Sequence, residues 1–202
     1  MPDAVSSAQL IQIVDAALAD ATRRSGSHLV CKPGCTQCCI GIFPIAQQDA
    51  ARLREGLAAL TKSDPIRATH MRSRVTESFS RLNPNFPGDL TTGILAPNYE
   101  DSALFEDFGN DEPCPALDPS TGTCDLYQHR PIVCRTFGPP MRTAESHLAT
   151  CELCYITAST EKIVACELDP EVPRIELRSN AAFNAEHGLH GETLVAYALR
   201  QL

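Results

Sequence analysis

Cys31-Lys-Pro-Gly-Cys35-Thr-Gln-Cys38-Cys39 places four thiols within nine residues, at C-x3-C-x2-C-C spacing. Pro33 and Gly34 bend the backbone between the first two, and only a bent chain lets close cysteines converge on one point. Converging thiolates are what zinc ions and iron–sulfur clusters take as ligands. Adjacent Cys38 and Cys39 are expected to point apart. That suits two metals, or one metal ligand beside one packed thiol. Four thiols around a single turn are too dense for ordinary core use.

Working outward, the next thiols come in Cys114-Pro-Ala-Leu-Asp-Pro-Ser-Thr-Gly-Thr-Cys124-Asp-Leu-Tyr127-Gln-His-Arg130-Pro131-Ile-Val-Cys134-Arg135-Thr-Phe137-Gly138. Asp118 to Gly122 reads as a turn between two short strands, so a hairpin brings Cys114 and Cys124 together. Asp125 reads as the cap of a short turn through Tyr127. Pro131 keeps Arg130 out of the helical region and redirects the chain, which carries Cys134 toward the same point. Arg130 and Arg135 flank Cys134. Their guanidinium groups either offset thiolate charge on a metal or pair with acids such as Asp125 and Asp118. A helical pattern from Thr143 to about Cys166 would hold Cys151 and Cys154 at i, i+3 on one face. Cys166 reads as structural, and His147 as a weaker ligand candidate.

The other elements follow from periodicity and punctuation. Leu10, Ile13, Val14, Ala17, Leu18 and Ala21 give one apolar helix face over residues 7–25, with Ser6 or Ser7 as cap and Gly26 as stop. The apolar run 40–45 is too short for a helix. Residues 47–60 are helical again, and Asp64-Pro65 caps a third helix to Leu82. Residues 83–113, rich in Pro, Gly and acids, read as a long acidic loop carrying Phe86, Tyr99, Phe105 and Phe108. After a break at 169–173 the chain ends in a helix from Glu192 to Leu202. The expected fold is mainly α, with an irregular cysteine-rich metal-binding core and a small β-hairpin. It is read as a single domain over 1–202. The core spans 27–156 with the acidic insert 83–113, an N-terminal helix lies in 1–26, and a helical extension occupies 170–202.

The 202 residues include ten cysteines, no tryptophan and 43% apolar residues, enough for a real aliphatic core. No signal-peptide pattern opens the chain, and no run reaches the ~18 apolar residues of a membrane span. A soluble, cytoplasmic, reduced protein is expected, with its cysteines on metal rather than in disulfides. The net charge of −8 argues against a nucleic-acid binder. No basic residue lies between Leu82 and His129, yet that segment holds nine acids. It suits a cover over the metal or a docking surface for a basic protein partner. A Gly-rich phosphate loop and a Ser-His-Asp arrangement are both missing from the sequence.

Cys31 to Cys39, Cys114-Pro-x-Leu117, and Cys124-x-x-Tyr127-x-x-Arg130-Pro131-x-x-Cys134-Arg135-x-Phe137 together resemble the YkgJ-like cysteine-cluster family, the zinc- or iron-chelating CxxCxxCC domains. The first gap here is three residues rather than two. The resemblance implies metal chelation by Cys31, Cys35, Cys38, Cys39, Cys114, Cys124 and Cys134, with a last ligand at Cys151 or Cys154. It implies an iron–sulfur cluster, zinc or both, serving redox chemistry, metal handling or scaffolding. Flagellin lysine N-methylases carry similar clusters, so an iron–sulfur enzyme of that kind is one alternative. A zinc-stabilised interaction module is another.

Overall fold

The computed structural model describes residues 5–101, 103–142 and 147–200. The helices are α1 (Ser7–Ser25), α2 (Gln47–Ser63), α3 (Pro65–Leu82), α4 (Ala103–Glu106), α5 (Ile132–Thr136), α6 (Thr160–Ala165), α7 (Glu171–His187) and α8 (Val195–Leu199). The strands are β1 (Pro44–Ala46), β2 (Gly88–Asp89), β3 (Ile94–Leu95), β4 (Leu117–Asp118), β5 (Thr123–Cys124), β6 (Met141–Arg142), β7 (Leu148–Ala149) and β8 (Glu192–Leu194). They form antiparallel pairs: β1 with β8, β2 with β3, β4 with β5, and β6 with β7. The chain is mainly helical with short strand pairs, the α+β class expected.

Helix ends lie where the capping residues put them. Ser6 Oγ accepts from the Gln9 N–H, and the Gln9 carboxamide accepts from the Ser6 N–H, a reciprocal cap on α1. Gly26, at φ +56°, ends that helix. Asp64 accepts from the Arg67 N–H at the start of α3, and Pro65 fills the first helical position.

The chain forms two compact units. One comprises the residues through Lys32 together with Ile132–Ala185. Its core is Leu10, Val14, Ala21, Ile132, Leu168 and Val172, the buried face of α1 closed by α5 and α7. Arg24 Nη2 donates to the Glu167 carbonyl at 2.9 Å, which ties the end of α1 to the segment after α6. The second unit comprises Pro33–Pro131 and the residues from Glu186 onward. There α2, α3 and α8 pack on one another. Leu82, Phe86, Leu95, Phe108, Leu194, Ala196 and Tyr197 form the core. Phe86 stacks on Tyr197 with ring centroids 3.9 Å apart.

Four expectations are corrected. The segment 83–113 is more than a loop: it contains the β2–β3 hairpin and α4, because Phe86, Leu95 and Phe108 are buried and order the backbone around them. The helix expected over 143–166 reduces to α6. Residues 143–146 lie outside the described residues; β7 and a turn follow, and Tyr155 adopts a left-handed φ of 59° that no helix continues through. Ser159 caps α6 by accepting from the Lys162 N–H. The helix expected from Glu192 begins as strand β8, since pairing with Pro44–Ala46 overrides local propensity. Its last two residues, 201 and 202, lie outside the described residues. Asp125 caps nothing; arginines of α3 claim its carboxylate.

Candidate metal centre

The boundary between the units runs between Lys32 and Pro33, inside the cysteine motif. Cys35, Cys38 and Cys39 therefore belong with Cys114 and Cys124, and Cys31 belongs with Cys134, Cys151, Cys154 and Cys166. All ten are free thiols.

In the second unit, backbone pairing brings the distant thiols together. Residues 39–41 run antiparallel to 112–114: the Cys114 N–H donates to the Cys39 carbonyl at 2.8 Å, and the Gly41 N–H to the Glu112 carbonyl at 2.9 Å. The Leu117 N–H then bonds the Cys114 carbonyl, and β4–β5 sets Cys124 opposite Leu117. The hairpin turn closes on Gly122, whose positive φ of 66° suits glycine. A Cβ there would lie 3.6 Å from the Gly34 Cα, so the turn also sits against the residue before Cys35.

The Cys38 and Cys39 thiols are coupled to each other. A tight turn over Gln37–Cys39 spaces successive side chains closely enough for the Cys39 S–H to donate to Cys38. That hydrogen bond holds the Cys38 thiol down at about 6, with the Arg130 guanidinium adding a smaller push in the same direction. Cys39 is driven far upward by the same bond, by burial, and by the fields of Cys38, Cys114 and Cys124. Burial pushes Cys114 up to about 12. Burial likewise raises Cys124, against the nearby Arg130. Four thiols thus lie within one another's fields, and a single negative charge suppresses further ionisation. A cation among them would reverse that suppression.

Arg130 serves this group in a second way. Its guanidinium carbon sits 3.9 Å from the centre of the Tyr127 ring, and Nη1 donates to the Tyr127 carbonyl. Tyr127 is otherwise exposed. Arg135 is almost fully buried and binds both carboxylate oxygens of Asp15 on α1.

In the first unit, Cys31 Sγ lies 4.0 Å from Cys154 Sγ. Cys151 and Cys154 share a turn rather than a helix face, with the Cys154 N–H bonded to the Cys151 carbonyl at 2.9 Å. Gly138, at φ +121°, has no room for a side chain: a Cβ there would stand 2.9 Å from Cys31 Sγ. Cys134 lies on α5, one turn before that glycine. Cys166, read as structural, is fully buried in the same cluster as Cys151, Cys154 and Tyr155. His147 is exposed.

The sequence reading missed the clamp behind Cys124. Asp125 has a fully buried carboxylate, bound through separate oxygens by Arg67 and Arg74. Arg81 holds Glu112 through two 2.8 Å bonds. Arg67, Arg74 and Arg81 stand seven residues apart on α3 and so form one stripe, a period visible in the sequence. Two acids of the acidic segment therefore find their basic partner within the chain.

Among the described residues, no three His, Cys, Asp or Glu side chains already stand where they could hold a metal ion. The donor set nonetheless suits one: free thiols gathered by backbone pairing, with cationic side chains beside them. The sequence profile of the CxxCxxCC family, described as "Putative zinc- or iron-chelating domain", matches residues 30–155. This chain belongs to that family. No curated protein and no solved structure matches it significantly. Among the described residues, no helix is long and apolar enough to cross a membrane.

Proposed function

We propose that the chain holds zinc or iron through two sets of thiolates, one in each unit. Cys38, Cys39, Cys114 and Cys124, with Cys35 beside them, form the first set. Cys31, Cys134, Cys151 and Cys154 form the second. Thiolate-only donors fit zinc or an iron–sulfur cluster far better than calcium or magnesium. The observation that carries this reading is the pairing of the Cys39 carbonyl with the Cys114 N–H. It brings thiols from two distant motifs into one another's fields.

The chain's own residues have definable tasks. The Cys39 S–H keeps Cys38 ionised before any metal arrives, so Cys38 is the first ligand to capture it. Arg130 offsets the negative charge that thiolates leave on a metal. The arginine stripe of α3 fixes the base of the Cys124 hairpin through Asp125. A bound zinc would be structural in a closed four-thiolate site, whereas an iron–sulfur cluster would add electron transfer. Elemental analysis and visible absorption of anaerobically purified protein test the proposal. Two or more zinc or iron atoms per chain are expected. Metal-free protein from a metal-replete culture overturns it.

A further inference from the structure

The second unit carries a groove of about 820 Å³ that no thiol lines. Its cations are Arg54, Lys62, Arg72 and Arg200, and among the described residues no carboxylate lines it. None of the four forms an ion pair among the described residues, although the unit is rich in acids and other arginines of α3 are paired. Three are nevertheless fixed in place. Arg54 Nε donates to the Ala198 carbonyl at 2.9 Å, and Arg72 Nη2 donates to Thr61 Oγ1 at 2.9 Å. The Arg200 guanidinium lies 3.9 Å from the centre of the Phe79 ring. The acid that precedes the groove's rim, Asp89, is turned to the N–H groups of Thr91 and Thr92.

A second observation points to a ligand. Tyr197 lines the groove, is only 7% exposed, and its buried hydroxyl has no hydrogen-bond partner among the described residues. A buried hydroxyl without a partner carries a standing cost that an acceptor in the groove would remove. Unpaired, anchored guanidinium groups beside it are the usual recognition chemistry for phosphate and carboxylate.

We propose that this groove binds a small organic polyanion, with its negative groups on Arg54, Lys62, Arg72 and Arg200 and an acceptor oxygen on the Tyr197 hydroxyl. The volume is that of a small-molecule site, and the mixed apolar lining, Leu57 and Leu199 included, fits a carbon skeleton between the anionic ends. This site is separate from the thiols and does not depend on which metal they hold.

Isothermal titration of the full, as-isolated chain tests it, with fructose 1,6-bisphosphate as the phosphate probe and glutarate as the carboxylate probe. Saturable binding of at least one is expected, with a Kd on the order of 0.1 mM. The stronger probe identifies the anionic group. Loss of one charge-assisted contact in Lys62→Gln or Arg72→Gln should weaken binding about tenfold. Lys62 is exposed, so its variant tests the idea without risk to folding. Tyr197→Phe should weaken binding several-fold while leaving the melting temperature of the unliganded protein unchanged or higher. Arg23→Gln, paired on α1, should change nothing. Three outcomes overturn the proposal: no saturable heat with either probe up to about 10 mM, unchanged affinity in both charge variants, or tighter binding of a single-stranded oligonucleotide than of either probe.

Discussion

Replacing Asp125 with Asn probes the architecture that presents Cys124. The wild-type carboxylate is fully buried and accepts from Arg74, which is 20% exposed, and from Arg67, which is 42% exposed. A buried pair broken on one side costs about 3–5 kcal/mol, whereas an exposed pair contributes at most about 1 kcal/mol. Arg74 belongs near the first case. Arg67 belongs near the second, because solvent screens much of its attraction. The asparagine keeps the shape and one acceptor oxygen, which returns part of the Arg74 bond. The expected loss is therefore about 3 kcal/mol, or roughly 6–12 °C in melting temperature for a chain of this size. Thermal unfolding of the metal-loaded protein by far-ultraviolet circular dichroism measures it. A cycle with Arg74→Gln separates the two arginines: the Asp125–Arg74 coupling should exceed that with Arg67 by about 1 kcal/mol or more. A drop of less than 2 °C, or equal coupling to both arginines, refutes the reasoning.

Other outcomes follow from the thiols. In metal-stripped protein, iodoacetamide should label the Cys38–Cys39 pair once, with a half-point near pH 6, because Cys38 is held at about 6 while Cys39 keeps its proton. In linkage terms Cys38 is depressed from 9.0, so its contribution to stability is complete above pH 9 and is lost as pH falls through about 6. A labelling half-point near pH 9 would sink this reading. Cys114→Ser should remove metal from the second unit's set and leave the Cys31–Cys154 set loaded, giving about half the wild-type metal by mass spectrometry under native conditions; complete loss, or none, would show that the sets are not independent. Stripping all metal should lower the melting temperature by more than about 10 °C, restored by zinc or iron, because a structural zinc can supply on the order of 10 kcal/mol. The stripped chain should keep most of its far-ultraviolet helical signal, since the cores around Leu10 and Leu82 contain no thiol.

Local signals were legible in the sequence and long-range ones were not. The capping box at Ser6 and the Asp64-Pro65 start are encoded within four residues, and α1 and α3 begin where those residues say. The Asp118–Gly122 hairpin is equally local. The i, i+3 spacing of Cys151 and Cys154 fits a helix and a turn alike, and only the left-handed Tyr155 and the Ser159 cap decide for the turn. Strand β8 exists because Pro44–Ala46 lies beside it, which no window around Glu192 contains. The destination of Asp125 depends on α3, and there the clue was present: three arginines at a seven-residue period, facing a segment without a single cation of its own.

The partnership of β1 with β8 has a consequence for biosynthesis. The turn at Cys35–Cys39 leaves the ribosome well before β8, the strand that pairs with β1 in the same unit. Until β8 has emerged, those sulfurs stand in an unfinished shell, open to stray copper and to oxidants. Loading must either wait until β8 has been made or be supervised by whatever delivers the metal.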